Sequence, residues 1–203
     1  MGKDKKLIID GENHLLGRLS SIIAKQLLLG KRIVVLRCEG ICMSGKYKRM
    51  EYKYKMYLRK RVNTNPKKGP FHHRCPTKML IKSVRGMLPS RTERGKLALL
   101  NLSCFVGVPP LYATKKKMII PQASRILCLH PSNPYNKLKR LAKNFGWKYA
   151  DVTERLEEKR KSRGTQYRTQ KLIANSLINK AKARAAERLA PLESKLRDLG
   201  YAC

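Results

Sequence analysis

The stretch from residue 52 to residue 150 contains a single acidic residue, Glu93, among many lysines and arginines. Over the whole chain of 203 residues, 47 Lys and Arg outnumber 13 Asp and Glu, which gives a net charge of +34. A charge of this size opposes compaction through self-repulsion, so the folded chain is expected to need a polyanion that neutralises it. Nucleic acid fits this need, because phosphate contacts release condensed counterions and dominate the affinity.

The positive charge is concentrated in the middle of the chain. Residues 45–96 contain 17 basic and 2 acidic residues, a net charge of +15, and residues 97–150 contain nine basic residues and no acidic one. The surface facing the polyanion is therefore expected mostly in the middle of the chain. A hydrophobic fraction of 42% still allows a core of ordinary size. An acidic membrane is the other polyanion to consider, but the sequence shows no signal peptide, lipidation signal or apolar run of bilayer length.

Residues 7–36 follow a strand–helix–strand pattern. The apolar runs 7–9 and 33–36 have the composition of buried strands, and the first ends in the turn signal Asp10-Gly11. Between them, apolar residues recur at helical spacing up to a stop at Gly30; they are Leu16, Leu19, Ile22, Ile23 and Leu27. This pattern predicts a right-handed βαβ unit with parallel strands.

The pattern of residues 46–61 predicts an amphipathic helix with one apolar face and a strongly basic surface elsewhere. Only Glu51 could neutralise the basic face, so an exposed version would repel itself. The apolar face consists of Tyr47, Met50, Tyr54, Tyr57 and Leu58. The next segment, residues 63–76, contains three prolines and lacks core residues, which predicts a long irregular loop ordered by a partner.

The rest of the chain alternates short elements and then becomes helical. Short helices are expected over 77–88 and 92–102, followed by a strand over 103–106 and a weaker strand candidate over 125–129. From residue 152 the pattern is helical, with Gly164 interrupting it and Pro191 in the first turn of a last helix. We therefore expect an α/β core over 1–150 and a helical C-terminal extension over 151–203.

Asp10, Glu12 and His14 lie close together in sequence and could suggest acid–base catalysis. An Asp before Gly at the end of a strand is, however, more often a turn or cap residue. The middle of the chain also offers few carboxylates for a general acid–base pair or a magnesium site. We therefore expect no catalytic residue.

Two groups of cysteine and histidine could in principle form a zinc site, as a metal-dependent RNA-processing enzyme would require. They are Cys38 with Cys42, and His72 and His73 with Cys75. Their spacing matches no standard zinc module closely. The six cysteines of the chain are therefore expected to be reduced and mostly buried, and neither a metal nor a cofactor is expected.

Two segments have features that suit phosphate contacts. Ser44-Gly45-Lys46 precedes the predicted basic helix, and a helix N-terminus can hold a phosphate on its main-chain N–H groups. Because no complete glycine-rich nucleotide loop occurs, we assign this phosphate to RNA. The second segment, residues 85–95, contains a cluster of arginines beside glycines. The glycines permit a bend of the main chain that allows it to approach RNA phosphates closely.

Several separate basic patches fit an irregular folded RNA better than the regular groove of a DNA duplex. Lys115, Lys116 and Lys117 are a further patch, or else an ordinary solvated run. The residues expected to contact RNA are Lys46, Lys48, Arg49, Lys53, Lys55, Arg59, Lys60, Arg61, Asn63, Asn65, Lys67, Lys68, His72, His73, Arg74, Arg85, Arg91, Arg94 and Lys96.

Several motifs together resemble the universal L13 family of large-subunit ribosomal proteins in its eukaryotic form. The similarity spans roughly residues 5–161 and is weak beyond Gly164, and Cys42 and Cys75 are unusual for their positions. The motifs are Ile9-Asp10-Gly11, Leu16-Gly17-Arg18-Leu19-Ser20, the segment 63–74, Val84-Arg85-Gly86-Met87-Leu88-Pro89 with Arg94-Gly95, Phe105-Val106-Gly107-Val108-Pro109 and Gly146-Trp147-Lys148-Tyr149.

The resemblance implies a three-layer α/β/α core with a mainly parallel sheet, basic loops and a C-terminal helical extension. It implies a structural role on large-subunit ribosomal RNA, beside neighbouring ribosomal proteins, without catalytic residues, cofactor, membrane or small-molecule substrate. It also implies residence in the cytoplasmic ribosome after nucleolar assembly. The same basic surface would equally serve a regulator that binds messenger RNA outside the ribosome, so that alternative stays open.

Overall fold

The computed structural model describes residues 6–201, apart from the side chains of residues 187–189. These residues divide into two units that meet in sequence between Arg155 and Leu156. No helix among them combines the length and the apolar character needed to cross a membrane. The strands are β1 (Leu7–Asp10), β2 (Ile33–Leu36), β3 (Cys42–Ser44), β4 (Leu102–Cys104) and β5 (Tyr135–Lys137).

The helices are α1 (Leu16–Leu28), α2 (Tyr47–Arg59), α3 (Pro76–Gly86), α4 (Glu93–Leu100), α5 (Pro110–Ala113), α6 (Arg125–Cys128), α7 (Leu138–Asn144), α8 (Ala150–Arg184) and α9 (Ala186–Asp198). Three short 3₁₀ turns cover Cys38–Gly40, Pro66–Lys68 and Pro121–Ala123. Helices thus follow or connect most of the strands, as an α/β fold requires.

The central sheet has the order β1-β2-β4, and all its pairings are parallel. Leu7 lies opposite Ile33, which in turn lies opposite Leu102. Beyond β1, Met118 adds a parallel bridge to Ile9 and extends that edge of the sheet by one residue. Strands β3 and β5 form a separate antiparallel pair. The predicted parallel strand–helix–strand unit is therefore confirmed.

Side chains of the sheet alternate between its two faces with the period of two that strands impose. Ile9, Ile33 and Val35 point to one face, where helices α1, α3 and α4 supply the main core. Ile8, Val34 and Leu36 point to the other face, where they pack with Tyr112 of α5 and with Phe105 and Val108. The α/β class with a mainly parallel sheet is confirmed, and among the described residues the helix that packs on the second face is the four-residue α5.

Most predicted elements appear with boundaries shifted by one to three residues, which is normal for helix and strand ends. The strand candidate over 125–129 is wrong, because residues 125–128 form helix α6. Ile126 and Leu127 are 68% and 71% exposed, so their apolar character does not reflect burial in a sheet. A short apolar run does not distinguish a strand from a helix by its periodicity.

The interruptions predicted in the C-terminal region are also wrong. Gly164 lies inside α8, which continues for 35 residues, because good helix formers on both sides outweigh the roughly 1 kcal/mol that glycine costs relative to alanine. Pro191 lies inside α9 rather than in its first turn, since the helix already begins at Ala186. The alanine-rich residues before the proline extend the helix toward its N-terminus.

Candidate nucleic-acid interface

Helix α2 has two faces of different chemistry. Met50 is buried, and the rings of Tyr47, Tyr54 and Tyr57 are half-buried along the same face, as predicted. The remaining positions carry exposed bases, and the first turn contains no acidic residue. The basic side chains of α2 and its flanks are Lys46, Lys48, Arg49, Lys53, Lys55, Arg59, Lys60 and Arg61.

The tyrosines of α2 hold the loop that follows the helix. The Tyr54 hydroxyl donates to the His73 carbonyl at 2.8 Å, and the Tyr57 hydroxyl donates to the Phe71 carbonyl at 3.0 Å. His72 adds a hydrogen bond between its Nε2 and the Lys60 carbonyl, 2.9 Å away. The second half of this loop therefore has contacts within the chain in addition to any that the expected partner supplies.

The start of α2 depends on a glycine turn. Gly45 has φ of +113°, in the region that glycine adopts without strain. Its N–H donates to the Pro134 carbonyl at 2.7 Å, and the Asn136 side-chain amide donates to its carbonyl at 2.9 Å. The turn thus sets the helix N-terminus beside the side chain of Lys46, where the helix dipole and a cation both favour an anion.

The turn between α3 and α4 brings two arginines to the surface. A Cβ on Gly95 would lie 2.1 Å from the Pro89 carbonyl oxygen, so only glycine fits this close approach. The Thr92 hydroxyl accepts a hydrogen bond from the Gly95 N–H at 3.3 Å and caps α4. Arg91 and Arg94 flank this cap with exposed side chains.

Eighteen of the nineteen residues expected to contact RNA are exposed, and His72 is half-buried against the loop backbone. Two of them already have an acidic neighbour, since Lys55 pairs with Glu51 at 2.7 Å and Lys96 with Glu93 at 2.6 Å. Among the described residues, no other basic side chain of segment 45–96 forms an ion pair. Most of its charge therefore lacks a partner within this part of the chain.

Sequence reasoning missed two basic residues of this surface. Lys78 and Lys82 lie on α3 with Arg85, at positions i, i+4 and i+7. This spacing places all three side chains on one face of the helix, so the signal was present in the sequence. The Lys82 ammonium lies 4.0 Å from the centroid of the Tyr57 ring and also contacts the Tyr57 hydroxyl.

Two of the three lysines at 115–117 make contacts within the chain. The Lys117 ammonium donates to the Ala113 carbonyl at 2.9 Å and to the Lys115 carbonyl at 3.3 Å. Lys115 itself lies 5.7 Å from the centre of the Tyr112 ring, while Lys116 is exposed. Only part of this run is thus directed at solvent.

The carboxylates near the end of β1 have structural partners. The Arg37 guanidinium pairs with both Asp10 and Glu12. His14 is 1% exposed, and its Nε2 accepts a hydrogen bond from the Ile120 N–H at 3.0 Å. Its Nδ1 therefore carries the proton and donates to the Glu12 carbonyl, also at 3.0 Å. These contacts join β1 to later segments of the core and leave His14 enclosed.

The cysteine and histidine groups do not converge. Among the described residues, no three His, Cys, Asp or Glu side chains lie close enough to hold a metal ion. A hydrogen bond with Cys104, together with burial, raises the pKa of the Cys38 thiol, and burial raises the pKa of Cys42. Both thiols are therefore protonated at neutral pH and pack as small apolar groups.

Comparison with known proteins identifies the family of the chain. The family model described as Ribosomal protein L13 matches residues 4–110, more than half of the chain. A protein named "Large ribosomal subunit protein uL13", from Spodoptera frugiperda, is 42% identical over 198 residues, which cover 98% of this chain and 97% of the relative. This family is structural rather than enzymatic. The chain therefore belongs to the ribosomal protein L13 family.

Proposed function

We propose that the chain is a structural constituent of the large ribosomal subunit and that it binds folded ribosomal RNA. Family membership supports the ribosomal role, and the name of the uL13 relative supports the large subunit. The observation that carries the RNA contact is the charge of segment 45–96, which has 17 bases and 2 acids on an exposed surface. Closely spaced phosphates would neutralise this surface without any enzymatic chemistry.

The proposed mechanism combines electrostatic neutralisation with a fixed spacing of the bases. Lysine and arginine side chains of α2, the 63–74 loop and the α3–α4 turn contact phosphates of RNA segments that lie close together. The hydrogen bonds from Tyr54 and Tyr57 to the loop fix the distance between the basic residues of α2 and those of the loop. Phosphate contacts of this kind orient a protein on RNA without reading its sequence.

The helical C-terminal region is proposed as an extension of the RNA-binding core, with residues 1–150 as core and 151–203 as extension. Residues 159–186 contain nine bases and no acid, so RNA contact extends into α8. Exposed apolar residues of the same helix, such as Ile173 and Leu177, supply contacts for neighbouring ribosomal proteins. The proposed location is the cytoplasmic ribosome after assembly in the nucleolus.

Co-sedimentation tests this function. The wild-type chain, expressed with an epitope tag in a eukaryotic cell, is expected to sediment with large subunits at moderate ionic strength and to leave them after RNase treatment. The triple substitution Lys48→Gln/Lys53→Gln/Arg59→Gln, which removes three exposed bases of α2, is expected to shift much of the protein to the free fraction.

A matched control removes the same charge elsewhere. The triple substitution Lys25→Gln/Lys31→Gln/Arg32→Gln changes three exposed bases outside the candidate interface and is expected to leave most of the protein with large subunits. If RNase treatment did not change the sedimentation of the wild-type chain, RNA would not be the partner that holds it on large subunits. Equal release of both variants would show that total charge matters and the α2 surface does not.

A further inference from the structure

A cleft of about 350 Å³ lies between the end of the loop and helix α3. Phe71 and His73 line it from the loop, and Lys78, Ile81, Lys82 and Arg85 line it from the helix. Its volume is at the lower end of the range of small-molecule sites, about 300–1,000 Å³. The cleft therefore has room for one small planar group with a charged substituent.

Phe71 is an exposed aromatic side chain on an anchored backbone. Its ring is 70% exposed, although burial of phenylalanine is normally favourable. Its main chain is anchored at two points. The Phe71 carbonyl accepts a hydrogen bond from the Tyr57 hydroxyl, and the His73 carbonyl accepts one from the Tyr54 hydroxyl. The ring is thus a surface positioned before any ligand arrives, which lowers the entropic cost of stacking on it.

The wall opposite Phe71 is cationic. Lys78, Lys82 and Arg85 share one face of α3 and extend about 10 Å along its axis. Helix α3 itself contains no acidic residue. The Tyr57 ring, whose centroid is 4.0 Å from the Lys82 ammonium, keeps this cation at the cleft. A ligand for this wall carries negative charge.

We propose that the cleft binds one unstacked nucleotide of ribosomal RNA, with its base on the Phe71 ring and the strand's phosphates on either side of it on Lys78, Lys82 and Arg85. Aromatic stacking combined with a cationic track is the usual way that proteins hold single-stranded nucleotides. The basic side chains of α2 are proposed to contact phosphates alone, which requires no aromatic residue. Stacking of a base in this cleft is therefore a different kind of contact. The inference rests on the proposed function, because it takes the ligand to be the RNA of the subunit.

Cross-linking and chemical probing of assembled large subunits test the cleft. Ultraviolet irradiation of subunits containing the wild-type chain is expected to yield a nucleotide adduct on the Phe71 side chain itself, which fragmentation of the peptide distinguishes from adducts on His72 or His73. In subunits with Phe71→Leu, the adduct is expected to disappear. One nucleotide of the ribosomal RNA is expected to become at least about fivefold more reactive to base-specific reagents, because the loss of a stack worth about 1 kcal/mol raises the unstacked population about fivefold.

Tyr149→Leu is the matched control, because Tyr149 is 68% exposed and lies outside the cleft. It is expected to leave the adduct and the nucleotide reactivity unchanged. The variant Lys78→Gln/Arg85→Gln keeps the aromatic ring and is expected to weaken the same adduct, which checks the result independently of any folding defect in Phe71→Leu.

The outcomes separate this inference from the proposed function. Adducts on other peptides of the chain, with none at Phe71 and no altered nucleotide in Phe71→Leu, would overturn the nucleotide site and leave the RNA-binding role intact. Cross-links from the cleft to a neighbouring protein would also overturn it. A chain without any adduct to ribosomal RNA, and absent from large subunits, would overturn the proposed function itself.

Discussion

Tyr54 and Tyr57 connect the apolar face of α2 to the loop that follows the helix. Their rings are 5.7 Å apart between centroids, and each hydroxyl donates to a loop carbonyl. Burial raises the pKa of the Tyr54 hydroxyl, which therefore stays protonated and able to donate at neutral pH. The two residues thereby fix the main chain of the proline-rich loop against α2.

Removing these hydroxyls is expected to loosen the loop without unfolding the chain. Tyr54→Phe loses a hydrogen bond worth about 0.5–1.5 kcal/mol, and Tyr57→Phe loses a similar bond together with the contact of its hydroxyl with Lys82, while both rings still pack. Amide hydrogen exchange is expected to become faster for residues 69–74 in both variants. Tyr52→Phe is the control, because the Tyr52 ring is 65% exposed on the other side of α2, and it is expected to change nothing. Unchanged exchange in all three variants would contradict the anchoring role.

Gly95 offers a test of the turn between α3 and α4. Gly95→Ala places a Cβ 2.1 Å from the Pro89 carbonyl oxygen, and the main-chain shift it forces is expected to lower the free energy of unfolding by about 1–3 kcal/mol. Gly17→Ala is the control, since a Cβ there meets no atom within 4 Å in the first turn of α1, and it is expected to raise the free energy of unfolding by less than about 0.5 kcal/mol. Urea unfolding measures both, and equal stability of the two variants would contradict the close approach.

Individual roles were harder to predict than residue types. The basic side chains of segment 45–96 were recognisable because solvation and charge are properties of the residues themselves. Asp10 and Glu12 could not be assigned from sequence, because their partner Arg37 reaches them only after β1 and β2 pair. The Phe71 carbonyl likewise becomes an acceptor only when the loop folds back on α2. Such roles depend on tertiary contacts that local patterns do not contain.

At the scale of elements, hydrophobic periodicity predicted the parts of the fold that bury an apolar face. Helix α1 and strands β1 and β2 appear where the spacing of apolar residues placed them. The errors occur where burial does not decide the structure, as in α6 with its exposed Ile126 and Leu127. Helix α8 likewise has little apolar periodicity, and residues 161–184 are all exposed. Its continuity past Gly164 follows from intrinsic propensity rather than packing.

The junction of α7 and α8 is expected to depend on pH. Hydrogen bonds from Lys143 and Lys139 lower the pKa of Asp151 and Glu154, respectively. Because these carboxyl pKa values are lower in the folded chain, the stabilisation is present above their ordinary values and is lost as the pH falls through the lowered ones. Protection of the amides at the start of α8, measured as the exchange rate relative to the intrinsic rate at the same pH, is therefore expected to fall on acidification below about pH 4.

A single substitution checks the cause of this dependence. Lys143→Gln removes the hydrogen bond that lowers the pKa of Asp151 most, so the pKa of that carboxyl is expected to rise toward its ordinary value of 3.8. Titration of the side-chain carboxyl resonances by NMR measures the change. An Asp151 pKa that is the same in the wild-type chain and in Lys143→Gln would contradict the ion pair with Lys143.

At the scale of the whole molecule, the acidic and basic residues have different roles. Glu12 pairs with Arg37 and Lys137, and the buried Glu39 accepts hydrogen bonds from the Gly107 N–H at 3.0 and 3.1 Å. These carboxylates connect segments distant in sequence and stabilise the α/β core. Segment 45–96 has few carboxylates, so its bases remain available for phosphates. Segment 45–96 thus carries +15 of the net charge of +34, while the carboxylates of the core are neutralised by partners within the chain.

The salt dependence of RNA binding tests this account most directly. The measurement is the affinity of the purified chain for ribosomal RNA extracted from large subunits, over a series of salt concentrations. Lys48→Gln/Lys53→Gln/Arg59→Gln is expected to reduce the log–log slope by about 2–3, because each neutralised phosphate contributes about 0.7–0.9. Lys25→Gln/Lys31→Gln/Arg32→Gln is expected to change it by less than about one. A slope that is the same for the wild-type chain and the α2 variant would contradict the claim that this surface neutralises phosphates.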